Sequence, residues 1–180
     1  KLTVGASIGI AMCPEDGRNA ADLLQRGDAA MLRAKEDRGA SKFFDSSIDE
    51  ELKSKAALET ELRTAIPNGD IVPYFQPVLR LDDGALAGYE VLARWPHRER
   101  GMISPVDFIP VAEEAGLVDA MFWALLAQAC RKALDAPGDF ILAVNISPSQ
   151  VRDQWFPEKV LRTLRETGFP ARRLEIEVTE

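Results

Sequence analysis

Three polar side chains stand at or near the ends of apolar strand-like runs: Glu90 in Gly88-Tyr89-Glu90-Val91-Leu92-Ala93-Arg94, Asn145 in Ala143-Val144-Asn145-Ile146, and Glu177 in Leu174-Glu175-Ile176-Glu177-Val178. Two carboxylates and a carboxamide oxygen are hard ligands, suited to Mg²⁺ or Mn²⁺ and not to zinc. Strand alternation puts Glu90, Leu92 and Arg94 on one face and Tyr89, Val91, Ala93 and Trp95 on the other. By the same rule Asn145 shares a face with Ala143, and Glu177 with Glu175. Charged groups in an apolar strand are costly unless something compensates them. A buried Glu90–Arg94 ion pair would do so. Solvated strand ends, with Asn145 opening a turn before Ser147-Pro148, would also account for these residues. Gln76, mid-strand and next to Pro77, is a similar polar intrusion.

The elements that must carry these side chains can be read in order. Residues 74–81 and 85–95 are apolar runs flanking Asp82-Asp83-Gly84, an Asp-Gly turn signal, which predicts two strands joined by a tight connection. Residues 96–104 read as a charged, Gly-containing loop. Ser104-Pro105 starts a helix that Gly116 stops. A strongly apolar helix follows over about 118–134, broken by Pro137-Gly138. Residues 140–146 form a buried strand, 157–167 a helix stopped by Gly168, and 174–180 a final alternating strand. Strands alternating with helices argue for βα units and a parallel sheet, with a (β/α) barrel as one closure. Strand C-termini then gather on one face, where chemistry is built.

Upstream, residues 1–11 read as a strand in which Gly5 and Gly9 mark close approach or a bulge. A helix over about 20–37 carries Leu23, Leu24, Ala30, Met31 and Ala34 on one face, Gly39 is its stop, and 41–44 is a short strand. Residues 46–66 predict a helix with Ile48, Leu52, Leu58, Leu62 and Ile66 at helical spacing. Ser47 and Glu50 form its capping box, and Pro67-Asn68-Gly69 end it.

His97 is the only histidine, so a histidine-centred triad or zinc site cannot be assembled within the chain. Cys13 and Cys130 lack metal-ligand spacing and read as two buried free thiols in a reducing cytoplasm. The net charge of −7 argues against binding a DNA or RNA polymer and makes an anionic substrate unfavourable unless a cation or local arginine offsets the field. No apolar run reaches membrane-spanning length and the start shows no signal peptide, so this segment is expected to be cytoplasmic without membrane contact, leaving open an anchor elsewhere in a parent protein.

Tyr74-Phe75-Gln76-Pro77 followed by Glu90-Val91-Leu92-Ala93-Arg94-Trp95 resembles the opening of an EAL domain, the cyclic di-GMP phosphodiesterase family, with Glu-Val-Leu in place of the name-giving Glu-Ala-Leu. Val144-Asn145-Ile146-Ser147 and Glu177-Val178-Thr179-Glu180 resemble two further motifs of that family. Ser7-Ile8-Gly9-Ile10-Ala11, Asp28-Ala29-Ala30-Met31 and Ala34-Lys35 before Gly39 resemble the closing strand and helix of a GGDEF (diguanylate cyclase) domain. Leu32 stands where that family often has an aromatic residue, and its signature motif is absent.

The resemblance implies an α/β fold: a partial TIM-like (β/α) barrel of the EAL type over residues 70–180, a linker helix over 46–69 and a GGDEF remnant over 1–45. It implies that Glu90, Asn145 and Glu177 hold the metal, with Glu90 at the catalytic centre. Gln76 and Arg94 would contact substrate, Arg94 by offering a fork to phosphate, and Glu180 would position an active-site loop. The implied reaction is metal-assisted hydrolysis of cyclic di-GMP to linear pGpG, in a parent that is a homodimer through its EAL domain. The family completes its metal site with a downstream Asp-Asp pair and a lysine that lie outside residues 1–180, so the chain by itself is expected to be inactive. A non-catalytic receptor for the same nucleotide is the alternative.

Overall fold

The computed structural model describes residues 5–36 and 40–178. The chain divides into two compact units, residues 1–57 and 58–180.

In the first unit, β1 (Ile8–Ile10) lies parallel to β2 (Ser41–Phe43), and α1 (Ala20–Glu36) connects them. Asn19 starts α1: its Oδ1 accepts the Asp22 backbone N–H at 2.9 Å, filling one of the orphan donors of the first turn. The helix sits so close to β1 that a Cβ on Gly9 would lie 2.0 Å from the Gly27 carbonyl oxygen, so only glycine fits. Gly5 meets no such constraint. Ala30 and Ala34 are fully buried, but Leu24, expected on the same face, is 69% exposed. Gly39, the expected stop, lies outside the described residues. Cys13 is exposed, contrary to expectation, while Cys130 is buried.

Helix α2 (Ser46–Asn68) crosses the division between the units. Asp45 caps it, its Oδ1 accepting the Ser47 N–H at 3.0 Å, so the cap falls two residues before the expected Ser47. From Leu58 onward α2 belongs to the second unit, where it buries Leu58, Leu62, Ala65 and Ile66. Gly69 ends it at φ +76°, a left-handed conformation that lets the Asp70 N–H bond back to the Ala65 carbonyl at 2.9 Å.

The second unit is a mixed sheet with helices on one face. β3 (Val72–Leu79) and β4 (Leu86–His97) are antiparallel, β6 (Ile141–Ile146) is parallel to β4, and β7 (Leu174–Val178) is parallel to β6, giving the order β3-β4-β6-β7. Residues expected to be a loop after Trp95 instead continue β4 to His97 and fold back as β5 (Gly101–Ile103), pairing Trp95 with Ile103. The His97 Nδ1 accepts the backbone N–H groups of Glu99 and Arg100, which closes this hairpin. Glu61 on α2 reaches it through Arg100 at 2.9 Å.

Between the sheet pairs run α3 (Pro105–Glu114), α4 (Val118–Leu134), the short α5 (Pro148–Val151) and α6 (Phe156–Thr167). The odd-numbered face of β4 meets them. Val91 packs with Leu126, Cys130, Leu142 and Val144, and Trp95, 1% exposed, packs with Leu62, Phe108 and Met121. Each fully buried large apolar side chain here stabilises by roughly 1.5–3 kcal/mol. The even-numbered face of β4 is left for function.

Candidate functional site

Strand register decides which side chains can meet on the face opposite the helices. Gln76 pairs with Glu90 across β3–β4, Glu90 with Ala143 across β4–β6, and Ala143 with Glu175 across β6–β7. These residues form one row on the sheet. The next row towards the C-terminal ends of the parallel strands contains Tyr74, Leu92, Asn145 and Glu177, since Tyr74 pairs with Leu92 and Asn145 with Glu177. Arg94 stands one row further, opposite Val72. None of the candidate ligands faces the helices. Leu142, Val144 and Ile146 of β6 do, and they are buried in the core.

Glu90 and Asn145 touch. The Asn145 Nδ2 donates to Glu90 Oε1 at 2.6 Å, a diagonal contact between adjacent strands. With its nitrogen so used, Asn145 turns its carboxamide oxygen away from that bond, and Glu90 keeps a second oxygen. Glu177 is exposed and is placed beside Asn145 by register, about one strand spacing of 4.8 Å away. Among the described residues no cluster of three His, Cys, Asp or Glu side chains could hold a metal ion. The candidate set therefore depends on the carboxamide as its third donor. Two carboxylates and a carbonyl-type oxygen fit a hard divalent cation.

Arg94 does not neutralise Glu90. Its Nη1 donates to the Ala93 carbonyl at 2.8 Å, and its guanidinium lies 5.9 Å from the centre of the Tyr74 ring, a cation–π arrangement. The half-buried Glu90 carboxylate thus has no cationic partner among the described residues. Gln76 is exposed directly opposite it. Glu180 lies outside the described residues.

Two contributors were not anticipated. Tyr74, two residues before Gln76 and so on the same face, supports Arg94; its signal was strand parity. Gln150, after β6, accepts the Ser147 backbone N–H at 3.1 Å through Oε1. Its signal was the Ser147-x-x-Gln150 spacing of a capping box.

A mixed α/β sheet with helices on one face and hard-oxygen donors gathered on the other is an arrangement on which a divalent-cation site can be built. Residues 59–180 match the model of the EAL domain, and the chain belongs to the EAL domain family. Over its whole length it is 34% identical to the bifunctional diguanylate cyclase/cyclic di-GMP phosphodiesterase MucR of Pseudomonas aeruginosa, covering 27% of that protein. It is also 34% identical to the cyclic di-GMP phosphodiesterase PdeR of Escherichia coli, again along the full chain and 28% of that protein. The chain thus spans about a quarter of the length of the curated relatives it matches. The solved PaMucR phosphodiesterase in complex with c-di-GMP superimposes with a TM-score of 0.63 at 33% identity, over 69% of this chain and 52% of that one. The EAL domain of Xanthomonas citri FimX in complex with c-diGMP gives 0.60 at 27% identity, over 76% and 53%.

Proposed function

We propose that the chain is part of a metal-dependent phosphodiesterase that hydrolyses cyclic di-GMP to linear pGpG. The observation that carries this reading is the Glu90–Asn145 pair on adjacent strands, a carboxylate held by a carboxamide with no cationic partner among the described residues. Glu90, Asn145 and Glu177 would hold Mg²⁺ or Mn²⁺. Bound there, the ion would neutralise the phosphodiester and lower the pKa of the attacking water. Asn145 orients Glu90 through Nδ2 and presents Oδ1. Arg94, steadied by Tyr74, offers a guanidinium fork to a substrate phosphate. Gln76, opposite Glu90, has both a donor and an acceptor for the nucleotide, and Glu180 is assigned to positioning an active-site loop. Such a cation also offsets the overall charge of −7 that would otherwise repel the substrate.

The same proposal includes closure of the sheet into a barrel over residues 70–180, a linker helix over 46–69 and a GGDEF remnant over 1–45. The last is supported by the alignment of the bifunctional relative across the entire chain. It also includes a cytoplasmic setting and a homodimer through the EAL domain in the parent. Residues 1–180 alone should show no turnover, because three protein donors leave the octahedral preference of Mg²⁺ largely to water.

The test is nucleotide binding and hydrolysis by the full-length parent and its Glu90→Gln variant, with and without Mg²⁺ or Mn²⁺. Transition-state stabilisation should fall far more than nucleotide affinity in the variant. Metal-independent binding without hydrolysis by the unmutated parent would identify a receptor instead and defeat the proposal.

A further inference from the structure

We infer that Gln150 is a positioning residue for the site at Glu90, Asn145 and Glu177. This rests on the reading of those three as cation ligands. Among the described residues the last two pairs of the β6–β7 ladder are Asn145↔Glu177 and Ile146↔Val178, so two of the three donors form its penultimate rung. Beyond Ile146 the chain must leave the sheet, and a strand end with nothing to hold the next residue frays. Ser147 is that next residue. Its N–H donates to Gln150 Oε1 at 3.1 Å, and the Gln150 N–H returns to the Ser147 carbonyl at 3.0 Å, closing the turn twice.

The Gln150 side chain is 4% exposed, so the closure is held from inside the protein and not from solvent. Its Nε2 is buried without a hydrogen-bond partner. An orphaned buried donor is unfavourable, and an apolar side chain of equal length would avoid it. Gln150 therefore gains little for stability from its carboxamide as a whole. Its oxygen is the useful half, and what that oxygen fixes is the end of β6, which carries Asn145 beside Glu177 of β7. Groups that orient metal ligands commonly tune metal affinity, and Gln150 would do so through the backbone two residues after Asn145.

The experiment compares full-length parent, Gln150→Met, which keeps length and loses the acceptor, and Gln150→Glu, which keeps an oxygen at the same place in either protonation state. Mn²⁺ affinity is read from the electron paramagnetic resonance signal of the free ion, alongside the unfolding midpoint. Gln150→Met should bind Mn²⁺ about tenfold or more weakly, with a midpoint within about 3 °C of the parent's. Gln150→Glu should return Mn²⁺ affinity to within about threefold of the parent's. Parental affinity in Gln150→Met, or equal loss in both variants, overturns the inference. Should Gln150→Met fail to fold, Gln150→Glu decides: retained affinity supports the role, and a tenfold loss refutes it. Glu90→Gln is measured in parallel. If it binds Mn²⁺ like the parent, the ligand assignment itself is wrong; if it alone loses binding, only the role of Gln150 fails.

Discussion

Replacing Glu90 by Gln in the full-length parent isolates what a bound cation contributes to stability. The substitution preserves volume and leaves an oxygen for the Asn145 Nδ2, which donates to Glu90 Oε1 at 2.6 Å. What it removes is one negative charge. In chelator the two proteins should unfold at nearly the same temperature. A charge-assisted hydrogen bond of about 1.5–3 kcal/mol becomes a neutral one of about 0.5–1.5 kcal/mol, but a half-buried carboxylate lacking a cationic partner is also relieved of its desolvation cost. With Mn²⁺ at about 100 times its dissociation constant, the parent gains about 2.7 kcal/mol. Loss of a direct charged ligand that weakens binding by about 100-fold leaves only about 0.4 kcal/mol of that gain. The difference of about 2.3 kcal/mol, at roughly 2–4 °C per kcal/mol for a whole domain of about 240 residues in the parent, amounts to roughly 5–9 °C. Scanning calorimetry across a Mn²⁺ titration measures it directly. Equal Mn²⁺-dependent shifts in both proteins, or none in the parent, would refute the placement of the cation at Glu90.

Burial pushes the Cys130 thiol up to about 11 from 9.0, whereas Cys13 is exposed. A thiol reagent at pH 8 should therefore label Cys13 in the native chain and Cys130 only after denaturation. Because the unfolded thiol ionises first, Cys130 favours unfolding as pH rises from about 9 to about 11, and denaturant midpoints over that window should fall. Leu62→Ala, at a fully buried position of α2, should cost about 2–5 kcal/mol in chemical denaturation of the second unit. A chain beginning at residue 70 should accordingly fail to fold cooperatively. Arg94→Lys should not restore the nucleotide affinity lost in Arg94→Ala, since an ammonium cannot supply a two-pronged contact; titration calorimetry with nucleotide distinguishes the two.

Periodicity located the helices well because their apolar stripes are long: α4 runs over 118–134 as the pattern predicts. Short elements were less legible. β5 contains only Gly101, Met102 and Ile103, too few residues to show alternation, and its pairing to Trp95–His97 depends on tertiary packing against α2. Leu24 shows the opposite failure, a residue with correct helical spacing but no neighbour to cover it in so small a unit. The candidate site divides in the same way. Strand parity was enough to put Glu90, Asn145 and Glu177 each on a definite face of its own strand, but the register that makes those faces one, the Asn145–Glu90 bond and the Gln150 contact came only with the structure.

Strand geometry argues against an ion pair between Glu90 and Arg94. Two residues four apart on a strand are separated by about 13 Å along the backbone, so Glu90 and Arg94 share a face without being neighbours. Arg94 instead finds the Ala93 carbonyl and the Tyr74 ring, and Glu90 finds only a neutral carboxamide. Burial of charge without compensation is unfavourable, and nothing in the described chain compensates Glu90. The same rows also place the exposed Glu175 and Glu177 on this face, which adds negative charge and not positive. A face so arranged is a poor device for stability, and the proposed cation at Glu90 would account for it. The sheet spends its other face, with Trp95, Leu126 and Leu142 in the core, on holding that arrangement in place.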